Sequence, residues 1–222
     1  MPDSKFVYKN ALKGGGKHYV FNYLDVERYI NRPLASLIVR SVFNTRITPN
    51  QLTVSAFLVS LPGIVLIGIG GYANVITGGL LVYLSFVIDA ADGMLARSKG
   101  SGSTYGQYLD LFLDRVSDFL ILLAVTLHQF RVTGSKDWLI FGLAVSVLYM
   151  LQIILFYIKN LYLGRETGIS GDARGLIGFL ILAFALFNRM DLLLYLGAVE
   201  TAIVVPYRII NFIYLGRRTD RK

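Results

Sequence analysis

Asp89-Ala-Ala-Asp92-Gly93-Met-Leu-Ala96-Arg97, then eight residues, then Gly106-Gln-Tyr-Leu-Asp110-Leu-Phe-Leu-Asp114: four carboxylates punctuate the junction of two apolar runs. On helices, residues three or four apart share a face, so Asp89 with Asp92 and Asp110 with Asp114 each project together. Two antiparallel neighbouring helices then aim all four at one point. Unaided, four carboxylates at close range would repel one another and take up protons. A bound cation removes that conflict. Oxygen-only ligands favour a hard ion, magnesium first, with calcium or manganese as alternatives. Two such ions suit phosphoryl transfer, where charge must be neutralised on both the attacking and the leaving oxygen. The small residues Gly93 and Ala96 leave room for a flat base or a phosphate to approach the helix, Arg97 supplies a fork for phosphate oxygens, and Gly106 shares the face of Asp110 and Asp114.

Outward from this stretch the chain is strongly apolar: 55% of its 222 residues are hydrophobic and 16% charged, which predicts an integral membrane bundle rather than a soluble domain. A helix of about 20 apolar residues crosses about 30 Å of hydrocarbon. Six runs read as spans: Leu52 to Gly71, Val75 to Ala90, Gly106 to Phe130, Trp138 to Ile158, Gly175 to Phe187 and Leu192 to Ile213. The expected fold is therefore all-α, a single domain over 1–222, with a cytoplasmic or interfacial segment at 1–49 and a six-helix bundle at 50–216. Cysteine is absent, so thiolate metal sites and cysteine nucleophiles are excluded. The two histidines, His18 and His128, lie in separate regions.

Eighteen of the 22 lysines and arginines fall on the side that carries the termini, and short cytoplasmic segments carry the positive excess. Both termini, and the ends of spans two and three where the carboxylates sit, are thus predicted to be cytoplasmic. The net charge of +8 is spread among loop ends beside apolar spans, which reads as topology and contact with anionic lipid rather than nucleic-acid binding. Met1 to Gly16 lacks the apolar core of a signal peptide. Between Val20 and Phe43, Leu24, Ile30, Leu34, Leu37, Ile38 and Val39 alternate with Arg28, Arg32 and Arg40, a pattern expected of an amphipathic helix lying in the membrane interface. Pro49 in Thr48-Pro49-Asn50 breaks the chain before the first span.

The carboxylate stretch resembles the signature of the CDP-alcohol phosphotransferases, D-x-x-D-G-x-x-A-R-x8-G-x3-D-x3-D, at every fixed position: Asp89, Asp92, Gly93, Ala96, Arg97, Gly106, Asp110 and Asp114. The resemblance implies a metal-dependent transfer of a phosphoalcohol or phosphatidyl group from a CDP-linked donor to a hydroxyl acceptor, with release of CMP. It implies two metal ions on Asp89, Asp92, Asp110 and Asp114, with Asp114 also the general base. CDP would lie near Gly93, Ala96, Arg97 and Gly106. Family members commonly form homodimers, and some bind the phosphate of an inositol phosphate acceptor in a basic pocket; Lys159, Arg165 and Arg174 are candidates for that role by location. The segments Arg28-Tyr-Ile-Asn31-Arg32-Pro-Leu and Arg46-Ile-Thr-Pro-Asn50 look like both the inositol-phosphate-linking members and the aminoalcohol phosphotransferases. The 222 residues show no nucleotidyltransferase domain, so the donor is expected to come from another protein.

A competing reading exists for the acids alone. Intramembrane carboxylates also serve ion or proton transporters. The glycine and arginine spacings favour catalysis. Asp118, one turn beyond Asp114, reads as a supporting residue, and Glu200, mid-span, as a partner for another helix. The Gly164 to Gly168 and Gly171 to Gly175 spacings match a helix-contact pattern but fall in a loop.

Overall fold

A computed structural model describes residues 26–162 and 174–219. Among these the structure is helical, without strands. A π-helical turn, Glu27–Asn31, runs into α1 (Arg32–Val42). There follow α2 (Pro49–Ile69), α3 (Tyr72–Lys99), α4 (Thr104–Thr133), α5 (Lys136–Tyr162), α6 (Arg174–Leu186) and α7 (Asp191–Thr219). Each expected span coincides with one of α2 to α7. Among the described residues, four helices are long and apolar enough to cross a membrane, those beginning at Pro49, Tyr72, Lys136 and Asp191. The remaining two differ for chemical reasons: α4 carries Asp110, Asp114, Arg115 and Asp118 in its first half, and α6 contributes only a short apolar segment, Leu176–Leu186.

The local sequence explains where the helices start and turn. Thr48 caps α2: its hydroxyl accepts from the Gln51 N–H at 3.3 Å, and the Gln51 side chain accepts from the Thr48 N–H at 2.9 Å. Pro49 then occupies the first helical turn, where its missing N–H costs nothing. What reads in sequence as a chain break is thus a helix start. Gly70 and Gly71, at φ of 82° and 85°, make a connection so short that α2 and α3 must run antiparallel. Arg131 on α4 ties this turn down by donating to the Ile69 carbonyl at 2.9 Å.

The hairpin's register is set by contact between two glycines. A Cβ built on Gly63 would lie 2.8 Å from the Gly78 carbonyl oxygen, and one on Gly78 would lie 2.6 Å from that of Gly63. Backbones so close leave no slack, and the antiparallel register that pairs these glycines carries Thr53 to the level of Asp92. Around the contact a buried core of Ile64, Ile67, Val75, Val82, Ile121, Val125, Ile181 and Leu194 joins α2, α3, α4, α6 and α7. Fully burying one such side chain contributes about 1.5–3 kcal/mol against water, but far less against lipid, where close packing is the main discriminating force.

Helix α1 lies against the far part of α3. Ala35 and Val39 are buried with Val87, Ala91, Met94 and Leu95, and Tyr83 donates to Asn31 Oδ1 at 2.9 Å. Of the apolar residues expected on a lipid-facing stripe, Val39 faces the protein, whereas Ile30, Leu34 and Leu37 are exposed. Leu24 lies outside the described residues.

Candidate active site

The signature occupies the last turns of α3 and the first turns of α4. Helix α3 ends at Gly100 in the left-handed conformation, φ 61°, and α4 starts at Ser103, whose hydroxyl accepts from the Gly106 N–H at 3.0 Å. The short link makes the two helices antiparallel, as the spacing of the acids requires. One oxygen each from Asp89, Asp92 and Asp110 lies within 4.8 Å of the others. Asp92 is buried, while Asp89 and Asp110 are half-buried. Asp114 lies one turn further along α4, also buried. It lines, with Asp89, Thr53, Ser85 and Ser117, a crevice of about 20 Å³, enough for about one water molecule. Among the described residues the converging donors are carboxylates, without sulfur or imidazole, the kind of set that takes a hard divalent cation.

Beside the acids opens a cavity of about 480 Å³ whose lining includes Gly93, Ala96, Arg97, Gly106, Asp92 and Asp110. All four residues expected to meet CDP border this one space. Two of the reasons differ from those read in the sequence. A Cβ on Gly93 would lie 3.2 Å from Arg97 Nη1, so the room above this glycine is used by the arginine that folds back over it. A Cβ on Gly106 would lie 2.6 Å from Asn50 Oδ1, so that glycine makes way for α2.

The third wall of the cavity is the start of α2, with Pro49, Asn50 and Thr53. Thr53 donates to Asp92 Oδ2 at 2.5 Å. Sequence reasoning missed these residues. The available signal was Thr-Pro-Asn at a helix start, four residues before a threonine on the same face.

A larger cavity, about 580 Å³, is lined from α4, α5, α6 and α7, with Phe86 of α3. Asp118 borders it, held by Arg115 Nη1 at 2.8 Å and by the Tyr149 hydroxyl at 3.1 Å. Glu200 accepts from Gln152 Nε2 at 3.1 Å, linking α7 to α5 as its mid-span position predicts. Arg208 also borders this space; it donates to the Gln152 carbonyl and sits over the Phe156 ring at 5.0 Å. An arginine within an apolar run is itself a signal, overlooked when the basic residues were read as topology alone.

Of the three candidates for an acidic acceptor, Lys159 is half-buried in the last turns of α5 and Arg174 is the first residue of α6. Arg165, with the Gly164 to Gly168 spacing, lies outside the described residues. So does His18. His128 is buried on α4 beside Gly70, at the α2–α3 turn, well removed in sequence from the carboxylates.

Residues 46–206 match the family model for CDP-alcohol phosphatidyltransferase, and the chain belongs to that family. It is similar to the archaetidylinositol phosphate synthase of Pyrococcus horikoshii, at 31% identity over 81% of this chain and 90% of that protein. It also resembles the bifunctional IPC transferase and DIPP synthase of Aquifex aeolicus, at 28% identity over 95% of this chain, and spans 47% of that longer protein. A crystal structure of Mycobacterium tuberculosis phosphatidylinositol phosphate synthase with CDP-DAG bound shares the fold, with a TM-score of 0.58 and 19% identity over 81% of this chain and 93% of that one. A second structure of that enzyme, in complex with manganese and citrate, gives a TM-score of 0.55 at 21% identity, covering 81% of this chain and 88% of that one.

Proposed function

We propose that this chain transfers a phosphoalcohol or phosphatidyl group from a CDP-linked donor to a hydroxyl acceptor, releasing CMP, within a membrane. The observation that carries the reading is the junction of two features: carboxylate oxygens of Asp89, Asp92 and Asp110 within 4.8 Å of one another, and a cavity at their side lined by Gly93, Ala96, Arg97 and Gly106. Asp89, Asp92, Asp110 and Asp114 would hold two divalent ions, magnesium, or manganese or calcium in its place, which neutralise charge on the diphosphate and on departing CMP. Manganese in a like-folded enzyme supports that choice.

In this reading the nucleotide enters the cavity between α2, α3 and α4, and Arg97 draws in the phosphate oxygens. Asp114 takes the proton of the acceptor hydroxyl. The acceptor oxygen bonds to the phosphorus that carries the alcohol, and the bond to CMP breaks. The protein's work is placement and fixed electrostatics, with no covalent intermediate needed. The acceptor approaches from the larger cavity, where Arg115 and Arg208 sit; Lys159, Arg165 and Arg174 are its outer basic residues. Relatives that are inositol phosphate-linking synthases support an acceptor of the polyol phosphate class. We further propose six spans in a single domain over 1–222, both termini and the site facing the cytoplasm, α1 resting in the lipid interface, and a homodimer.

The test is CMP release. Purified protein, offered CDP-diacylglycerol, CDP-inositol, CDP-choline and CDP-ethanolamine with matching acceptors, is expected to release CMP from at least one donor, and only with divalent metal. Release that persists undiminished in a chelator, or none from any pair, overturns the proposal.

A further inference from the structure

We propose that Thr53 is a positioning residue for the carboxylate cluster: its hydroxyl, donated from α2 to Asp92 on α3, fixes that carboxylate and thereby sets the cluster's affinity for divalent cations. The inference rests on the metal-site reading above and adds to it a residue from outside the signature.

Thr53 and Asp92 are both buried, at 4% and 8% exposure, so bulk water reaches little of either side chain. The hydroxyl has a single proton and two acceptors within reach, Asp92 Oδ2 at 2.5 Å and the Pro49 carbonyl at 3.2 Å. A threonine inside a helix ordinarily satisfies itself on the carbonyl one turn back. Here the carboxylate is nearer, and when ionised, as a metal ligand must be, it is the stronger acceptor. The proton therefore crosses between helices.

The donor is itself held from both directions. Its χ1 is restricted by β-branching. The Thr48 capping box fixes the start of α2 one turn before it, and the Gly63–Gly78 contact fixes the register of α2 on α3 beyond it. With one oxygen tethered, the Asp92 carboxylate cannot swing away from Asp89 and Asp110. Partners one step removed from a metal commonly alter its affinity by about 10- to 100-fold. Thr53 also lines both the small crevice beside Asp114 and the larger cavity beside Asp92, so it stands between the two halves of the site.

The experiment is titration of the purified full chain with Mn²⁺ alone, read by electron paramagnetic resonance. Thr53→Val keeps the shape and removes the donor; Thr53→Ala removes the donor without a branched side chain to misplace; Thr53→Ser keeps the donor. Expected is an Mn²⁺ dissociation constant raised about 10-fold or more in the Val and Ala variants, and restored to within about 3-fold of the parent by Ser. Parent-like affinity in whichever of Val or Ala remains folded overturns the inference. So does a Ser variant as weak as Val, because the methyl packing would then be the cause. A parent that binds no Mn²⁺ sinks the metal-site reading itself, which is a separate outcome.

Discussion

Gly106 on α4 and Asn50 on α2 stand so close that a methyl group on the glycine would lie 2.6 Å from Asn50 Oδ1. The obstructed atom is the end of a short side chain, so the fold can give way while the cavity wall cannot stay in place. Gly106→Ala is therefore expected to leave the melting temperature nearly unchanged and to raise KM for the CDP-linked donor about 10-fold, an effect of about 1.4 kcal/mol. Asn50→Ala in the same background relieves the overlap and should recover part of the loss; steady-state kinetics on both variants decide it.

Removing one carboxylate should affect stability and activity in opposite directions. Asp89, Asp92 and Asp110 repel one another when no cation is present. Asp110→Asn is expected to melt at a higher temperature than the parent in chelator, to lose the stabilisation that the parent gains from metal, and to lose at least about 100-fold in CMP release. A variant that still gains the parent's full thermal shift with Mn²⁺ would show that Asp110 is no ligand.

The glycine pair in the α2–α3 hairpin predicts a purely structural loss. Gly78→Val would press its side chain against the Gly63 carbonyl and against Ile67, with no flexible tip to yield. Overpacking of this kind costs about 1–3 kcal/mol. Thermal unfolding in detergent should register it, and the associated shift of Thr53 from Asp92 should lower activity even below the melting range. By comparison, Gly134→Ala, at a positive φ of 70° in open space, should cost about 1 kcal/mol and leave activity intact.

Arg208 gives a prediction that separates the two substrates. It borders the larger cavity and is absent from the lining of the one beside Gly93. Arg208→Gln is expected to raise KM for the acceptor about 10-fold or more while KM for the donor stays within about 2-fold, the loss of a charged hydrogen bond being worth about 1.5–3 kcal/mol. Equal increases in both constants would remove Arg208 from the acceptor's path.

What the sequence disclosed follows from what a local pattern can carry. The acids declare themselves through spacings of three and four, and a short glycine-containing link brings their helices together, so the convergence of Asp89, Asp92 and Asp110 was readable without coordinates. Asp114, expected at the same point, lies one turn further along α4 on the crevice it shares with Asp89. The six helices were readable as well, each from its own apolar run. Asn50 and Thr53 were not, because their meaning comes from a register fixed at Gly63 and Gly78, residues that look like ordinary small positions until the backbones are seen to touch. Arg208 was hidden by a competing explanation, since a basic residue in the later part of an apolar span also satisfies charge topology. The packing of α1 was not readable either: Val39, one of the apolar residues read in its pattern, turns inward because α3 offers it Ala91 and Leu95.

Lys99, at the end of α3, donates to the carbonyls of Thr45 at 3.1 Å and Ile47 at 2.8 Å, in the connection between α1 and α2. That grip turns the connection into a strap fastened beside Gly100 and Pro49, which border the cavity of about 480 Å³, and it makes the amine a natural reporter. An ammonium shared by two carbonyls acylates more slowly than one free in water, so the rate at which Lys99 is labelled by an amine-reactive ester, followed by mass spectrometry, reads how often the strap comes undone. Labelling of Lys99 as fast as that of Lys136 would mean that it is seldom fastened.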